Sequence, residues 1–244
     1  MKNIQAEIWE KQNFQDLVGN IIAEERAEYG RKENYFTPFF EREDLLPREK
    51  TSIGNYQDVW DWNEQRKEWS FEIPKDWEKK SWCYTINTYC RNPDFKNSIL
   101  KEERELIEFN IENINNAIQK SVTNEEYTIF RGVKNIDWLS HPHEEEEYTE
   151  KAFGSYSLLP ECALRYTNSE NPILFKLNLK NGTQALYFDN AEEEILLPRN
   201  TTYIIEKISE ELLLVSSTLN RMTYKEVTTY SVKIKKISGG RISA

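Results

Sequence analysis

The chain has 244 residues, 38% of them hydrophobic and 13% aromatic, which is enough to bury a sizeable core and excludes a disordered chain. Its formal net charge of -10 excludes non-specific binding to nucleic acid or to an anionic membrane, since either needs clustered Lys and Arg. The longest apolar runs, such as Leu212 to Val215, fall far short of the roughly 20 residues that span a bilayer, and the opening MKNIQAEIWEK has no apolar signal region. No membrane span is expected. The protein is expected to be cytoplasmic as synthesised, with any delivery into another cell proceeding without a classical signal peptide.

Phe14, Leu17, Val18, Ile21 and Ile22 recur at helical spacing and predict a first amphipathic helix ending before Gly30. From Tyr35 to about Lys80 the chain is aromatic and charged, punctuated by Pro38, Pro47 and Pro74; Trp60, Trp62, Trp69 and Trp77 there are expected to be core or docking residues. Cys83, Cys90 and Cys162 are odd in number and scattered, which predicts reduced thiols and no zinc site. A second helix is predicted from Glu102 to Gln119, with Leu106, Ile107, Asn110, Ile111, Ile114 and Ile118 inward. His141 and His143 flank Pro142 beside an acidic run that reads as a solvated loop.

Beyond Tyr127 the pattern turns to strands: Tyr127 to Arg131, Lys151 to Leu158, Ile173 to Leu179, Gln184 to Phe188, Ile195 to Leu197, Thr201 to Ile208, Glu211 to Val215 and Val227 to Ile237. Asn181-Gly182 predicts a tight hairpin turn. A helical front and a β-rich back with few helical crossovers is an α+β architecture. The expected organisation is a helical, Trp-rich extension over residues 1–75 and a catalytic domain over residues 76–244.

Three consecutive glutamates, Glu192, Glu193 and Glu194, run into the apolar stretch Ile195 to Leu197 closed by Pro198 and Arg199. In an extended strand Glu192 and Glu194 would share one face and Glu193 the other, making a paired-carboxylate site. Arg131, closing a short strand before Gly132, would stand at a sheet rim with a rigid fork of donors suited to phosphate oxygens. Phe153, Ser155 and Ser157 alternate onto one strand face, and a hydroxyl there can donate to a carboxylate and fix its rotamer.

These strings resemble the boxes of the arginine-serine-glutamate class of mono-ADP-ribosyltransferases. AEEEILLPRNTTYII is similar to its E-x-E box, TIFRGV to its arginine box, and KAFGSYSLLPECALRY to its Phe-x-Ser-Thr-Ser box, matching at Phe153, Ser155, Ser157, Ala163 and Tyr166. SWCYTINTYCRN resembles the helix ahead of the arginine box, so the likeness covers about Asp76 to Ile237. Tyr156 stands where threonine is usual, and Phe130 where tyrosine is more common.

The resemblance implies a helical N-terminal part followed by a β-rich two-sheet core, with NAD as substrate in a cleft between the layers and no metal. It implies that Arg131, Gly132, Phe153, Ser155 and Ser157 bind NAD, that Ser155 orients Glu194, and that Glu194 stabilises the oxocarbenium-like transition state formed as nicotinamide leaves. Glu192 would act on the acceptor. A glutamate in that place goes with arginine acceptors in this class, so the expected partner is a protein modified on arginine. Two alternatives use the same residues differently: an NAD glycohydrolase that sends the ribose to water, and an inactive module that binds a partner through its tryptophans.

Overall fold

The computed structural model describes residues 4–7, 42–57, 82–139, 142–168, 170–188, 192–218 and 221–237; the expected first helix and the four tryptophans of the aromatic segment lie outside them. Among the described residues four helices precede the main strands: α1 (Pro47–Tyr56), α2 (Trp82–Arg91), α3 (Pro93–Ser98) and α4 (Lys101–Gln119). The six residues expected to face inward on α4 are all buried. Its first turn is satisfied by Glu103, whose carboxylate accepts the Leu100 N–H at 2.8 Å, and Glu49 accepts the Leu46 N–H at 2.8 Å in the same way at the start of α1. Asn92 caps α3 by accepting from the Asp94 and Phe95 amides, with Pro93 at the first helical position.

The strands are β1 (Ile4–Glu7), β2 (Tyr127–Val133), β3 (Glu147–Glu150), β4 (Gly154–Ser157), β5 (Ile173–Leu179), β6 (Leu186–Phe188), β7 (Glu194–Leu197), β8 (Thr201–Thr218) and β9 (Arg221–Ile237); the short helix α5 (Pro160–Leu164) follows β4. They form one hydrogen-bonded sheet of order β3-β8-β9-β5-β2-β4-β7-β6, with β1 added to β9. Between β2 and β4 the ladder narrows to a single registered pair, Phe130 with Ser157. The sheet folds over at that rung. Tyr156 on β4 and Tyr203 on β8 are four strand spacings apart along the sheet, about 19 Å if it were flat, yet their ring centroids lie 6.4 Å apart.

Two cores result. One fills the space between the halves of the folded sheet, with Tyr156, Tyr187, Ile195 and Leu197 from the β4-β7-β6 half meeting Ile129, Phe175, Tyr203 and Tyr230 from the other. The second lies on the outer face of β4-β7-β6, where Phe153, Leu186, Phe188 and Leu196 pack against Ile53, Tyr56, Trp82, Ile86 and the apolar side of α4. Residues 42–57, from the stretch expected as an extension, thus contribute α1 to the core under the sheet. Among the described residues no helix is long and apolar enough to cross a membrane.

Several local expectations change. β8 is one strand through Ser209 and Glu210, where two strands were expected, because both residues stay paired with Thr229 and Thr228 of β9 even though their side chains are polar. The acidic run expected as a loop is one over residues 142–146, and its last glutamate opens the edge strand β3, which was not expected and whose Tyr148 and Thr149 pair with Tyr203 and Thr202. An edge strand tolerates charge because one side faces water. Asn181-Gly182 does turn the chain, with Gly182 at φ 76°, but β5 and β6 do not pair with each other. The segment after the turn instead bonds to residues 121–123, through Thr123 N–H to the Thr183 carbonyl and Gly182 N–H to the Thr123 carbonyl.

Candidate active site

Glu194 opens β7 and is paired with Ser157 on one side and Phe188 on the other. It is buried. Alternation along β7 sends Ile195 and Leu197 into the filled space between the halves and leaves Glu194 and Leu196 on the outer face, toward the helices. Ser155 on β4 faces the same way, and its hydroxyl donates to Glu194 Oε1 at 2.5 Å. From the helical side, Gln57, just past α1, donates its side-chain amide to Glu194 Oε2 at 3.4 Å. The nearby Tyr56 hydroxyl is pushed well above the usual tyrosine pKa, first by burial and then by the Cys83 and Glu194 charges.

The glutamate triplet is not an extended strand. β7 begins at Glu194, and Glu193 before it adopts the left-handed region at φ 47°. The shared face of Glu192 and Glu194 therefore does not come from strand alternation. It is built by hydroxyls. Ser157 donates to the Glu192 carbonyl at 2.5 Å and accepts the Leu159 N–H at 2.9 Å, so one side chain ties the turn to the start of α5. The Leu158 N–H donates to the Glu193 carbonyl at 3.0 Å. Tyr166, just beyond α5, donates its hydroxyl to Glu192 Oε1, and Tyr187 of β6 donates to Glu193 Oε2. Burial and the Glu192 bond together raise the Tyr166 phenol above its ordinary pKa.

Arg131 stands elsewhere. It lies inside β2, opposite Phe175 and two residues short of the strand's end, and not at a strand terminus as expected. It shares a face with Ile129, so its guanidinium enters the tyrosine-lined side of the folded sheet, 5.9 Å from the Tyr156 ring centre. There it pairs with Glu150 at 3.1 Å, while Arg91 from α2 grips the same carboxylate through Nε and Nη2, both at 2.9 Å. Burial alone would raise the Glu150 pKa, but Arg131 and then Arg91 hold it below the usual carboxylate value. Burial likewise works against the Arg131 charge, and Glu150 together with Tyr156, Tyr203 and Tyr148 more than offsets it, so its pKa stands above normal.

The remaining expected residues are placed as frame. Phe153 is fully buried, edge-on to Tyr56 at 5.7 Å. Gly132 lets α5 approach β2, since a Cβ there would stand 1.9 Å from the Ala163 carbonyl oxygen. The structure thus brings Glu194, Ser155, Ser157 and Glu192 together and sets Arg131 on the other face. Sequence reasoning gave no role to Gln57, Glu150 or Arg91. Gln57 lies 137 residues from Glu194 in a segment without a motif, and Glu150 was hidden in an acidic run.

A sequence model of the ADP-ribosyltransferase exoenzyme family matches residues 79–231, more than half of the chain. The chain belongs to that family. Arg131, Ser155, Ser157, Glu192 and Glu194 all lie inside the matched segment. No curated protein matches the sequence. Among solved structures, the exoenzyme-family fold of this chain is similar to the enzymatic component C2-I of the Clostridium botulinum C2 toxin, at 17% identity over 87% of this chain and 46% of that one, TM-score 0.51. This chain spans about half the length of that component. It is also similar to the Clostridium limosum C3 exoenzyme, at 18% identity over 88% of this chain and 95% of that one, TM-score 0.52. The ADP-ribosyltransferase Vis, solved in complex with agmatine, matches at 18% identity over 98% of this chain and 92% of that one, TM-score 0.53. At such identities the likeness is one of fold, and it confirms the mixed architecture of a helical front and a β-rich core.

Proposed function

We propose that this exoenzyme-family protein is a mono-ADP-ribosyltransferase that moves ADP-ribose from NAD to an arginine side chain of a target protein. The observation that carries the reading is the Ser155–Glu194 pair, 39 residues apart in sequence and joined at 2.5 Å. A buried carboxylate fixed in this way keeps its charge aimed at one place. As the bond between ribose C1′ and the nicotinamide nitrogen breaks, the electron pair leaves with nicotinamide and positive charge builds on the ribose. Glu194 then interacts more strongly with the transition state than with ground-state NAD, which is the condition for acceleration. A guanidinium nitrogen of the acceptor attacks C1′ and gives its proton to Glu192.

Two observations favour arginine as acceptor. Glu192 is a carboxylate, able to hold a guanidinium by charge-assisted hydrogen bonds, and Vis, which shares the fold, is complexed with agmatine, a guanidinium compound. On this reading Arg131, whose side chain keeps 21% of its surface exposed beside Glu150, donates to the NAD pyrophosphate by exchanging Glu150 for a phosphate oxygen, while Gly132, Phe153 and Ser157 act through the frame. The space between the sheet halves is filled by side chains, so the nicotinamide ribose would meet Glu194 from the outer face. Incubation with labelled NAD and either agmatine or a cell lysate tests the proposal. Labelled agmatine or labelled arginine in a protein is the expected outcome; nicotinamide release with no labelled acceptor would make the protein a glycohydrolase instead.

A further inference from the structure

The geometry points to Gln57 as a positioning residue for the catalytic carboxylate, which places the segment before α2 inside the catalytic unit. The inference rests on Glu194 acting as proposed above. Ser155 fixes Oε1 of Glu194 from the sheet, and the Gln57 amide addresses Oε2 from the helical layer at 3.4 Å. The carboxylate is thus bracketed by donors from two elements distant in sequence.

The end of α1 that carries Gln57 is anchored residue by residue. Asn55 donates its side-chain amide to Asn110 of α4 at 2.8 Å, in the buried core. Asn110 in turn donates to the Leu106 carbonyl at 2.9 Å. Tyr56 accepts from Asn87 of α2 at 2.9 Å and packs edge-on to Phe153, two residues before Ser155. The Gln57 N–H closes the helix on the Ile53 carbonyl at 3.0 Å. Three consecutive residues are thereby locked to α4, α2 and the last turn of α1, and the third aims its side chain at Glu194. A side chain on such a base loses little further freedom when it holds a partner, which is what positioning requires.

An amide suits this role better than a cation. It donates to the carboxylate without cancelling the charge that the oxocarbenium needs, and its own carbonyl oxygen remains able to accept a ribose hydroxyl. Gln57 therefore acts at the step shared by hydrolysis and transfer, upstream of the acceptor.

Gln57→Leu keeps the size and removes the donor. The expected result is a fall of about tenfold in kcat for NAD hydrolysis and for transfer to agmatine alike, as befits one hydrogen bond to a charged group, with KM for NAD and the thermal midpoint near wild type. Gln57→Glu supplies the readout that a structural role would not give. At neutral pH its second carboxylate opposes Glu194 and activity is low; as pH falls it becomes a protonated donor, and activity relative to wild type rises. Wild-type kcat in Gln57→Leu, or a pH profile of Gln57→Glu parallel to wild type, overturns the inference while leaving the transferase reading intact. A folded wild-type protein with no NAD-consuming activity overturns both.

Discussion

Tyr187 donates its hydroxyl to the carboxylate of Glu193, six residues ahead in the chain, and this bond holds the middle glutamate of the triplet away from its two neighbours. With Glu193 at φ 47°, the turn depends on a backbone conformation that side-chain-bearing residues rarely adopt. Glu193→Gly relieves the roughly 1 kcal/mol cost of a Cβ in this region but also deletes the acceptor of the Tyr187 hydroxyl, so it should be less destabilising than Glu193→Ala, which loses the same bond and keeps the Cβ. Glu193→Val should destabilise by about 1–3 kcal/mol, a β-branched residue being poorly tolerated there. Urea unfolding of these variants checks the order. Glu193→Gln, which keeps an acceptor for Tyr187, should retain activity.

The outer glutamates should separate by reaction. Glu194→Gln preserves an acceptor for Ser155 but removes the charge, so it should lower both NAD hydrolysis and transfer by about 10²–10³-fold in a folded protein. Glu192→Gln should lose transfer to agmatine and keep much of the hydrolysis, since water needs no group to hold it at the acceptor position. Nicotinamide release and agmatine labelling, measured side by side, distinguish the two.

Arg131 offers a binding test. Arg131→Lys exchanges a planar fork for a point charge, and NAD affinity should fall by about 1.5–3 kcal/mol in calorimetry if its partner is the pyrophosphate. Unchanged affinity would leave Arg131 with Glu150 alone.

The Glu150 bridge makes a signed prediction in pH. Its folded pKa is depressed by Arg131 and Arg91, so its contribution to stability is fully present above the unfolded glutamate value, about 4.3, and is lost as pH falls through the lower folded value. Thermal midpoints measured from pH 6 to pH 3 should drop for the wild type in that lower window. Glu150→Gln should start lower at pH 6 and show a flatter decline, because it has no proton to take up.

Gly132→Ala should destabilise by about 2 kcal/mol or more, since the new methyl would meet the Ala163 carbonyl oxygen at 1.9 Å and α5 would have to move. Because Tyr166 leaves α5 for Glu192, transfer should suffer more than hydrolysis. Denaturant midpoints and the ratio of the two activities provide the check.

The sequence was most legible where one period dominates. The 3.6-residue repeat of α4 named six of its eight buried residues, missing only Asn113 and Ala117, and the alternation of Ile173 to Leu179 gave β5 its observed limits. β3 and the middle of β8 were hidden because their pairing comes from a partner strand and not from their own apolar content. Within the site, Ser155 and Glu194 were legible as chemistry, but how the triplet is held was not. A left-handed residue followed by a strand start looks like an uninterrupted strand in sequence, and only the hydroxyls of Ser157, Tyr166 and Tyr187 reveal the turn. The placement of Arg131 was misjudged at the strand end because Gly132 reads as a stop signal, whereas here it makes room for α5.

One rung, Phe130 with Ser157, joins the half of the sheet that carries Glu194 to the half that carries Arg131. A single rung leaves the dihedral between the halves open, so the span from guanidinium to carboxylate is gauged by what is wedged inside the fold. Tyr156, Tyr203, Phe175 and Tyr230 act there as a shim. Its thickness fixes the span from the Arg131 guanidinium to the Glu194 carboxylate, the two groups proposed to hold different parts of NAD.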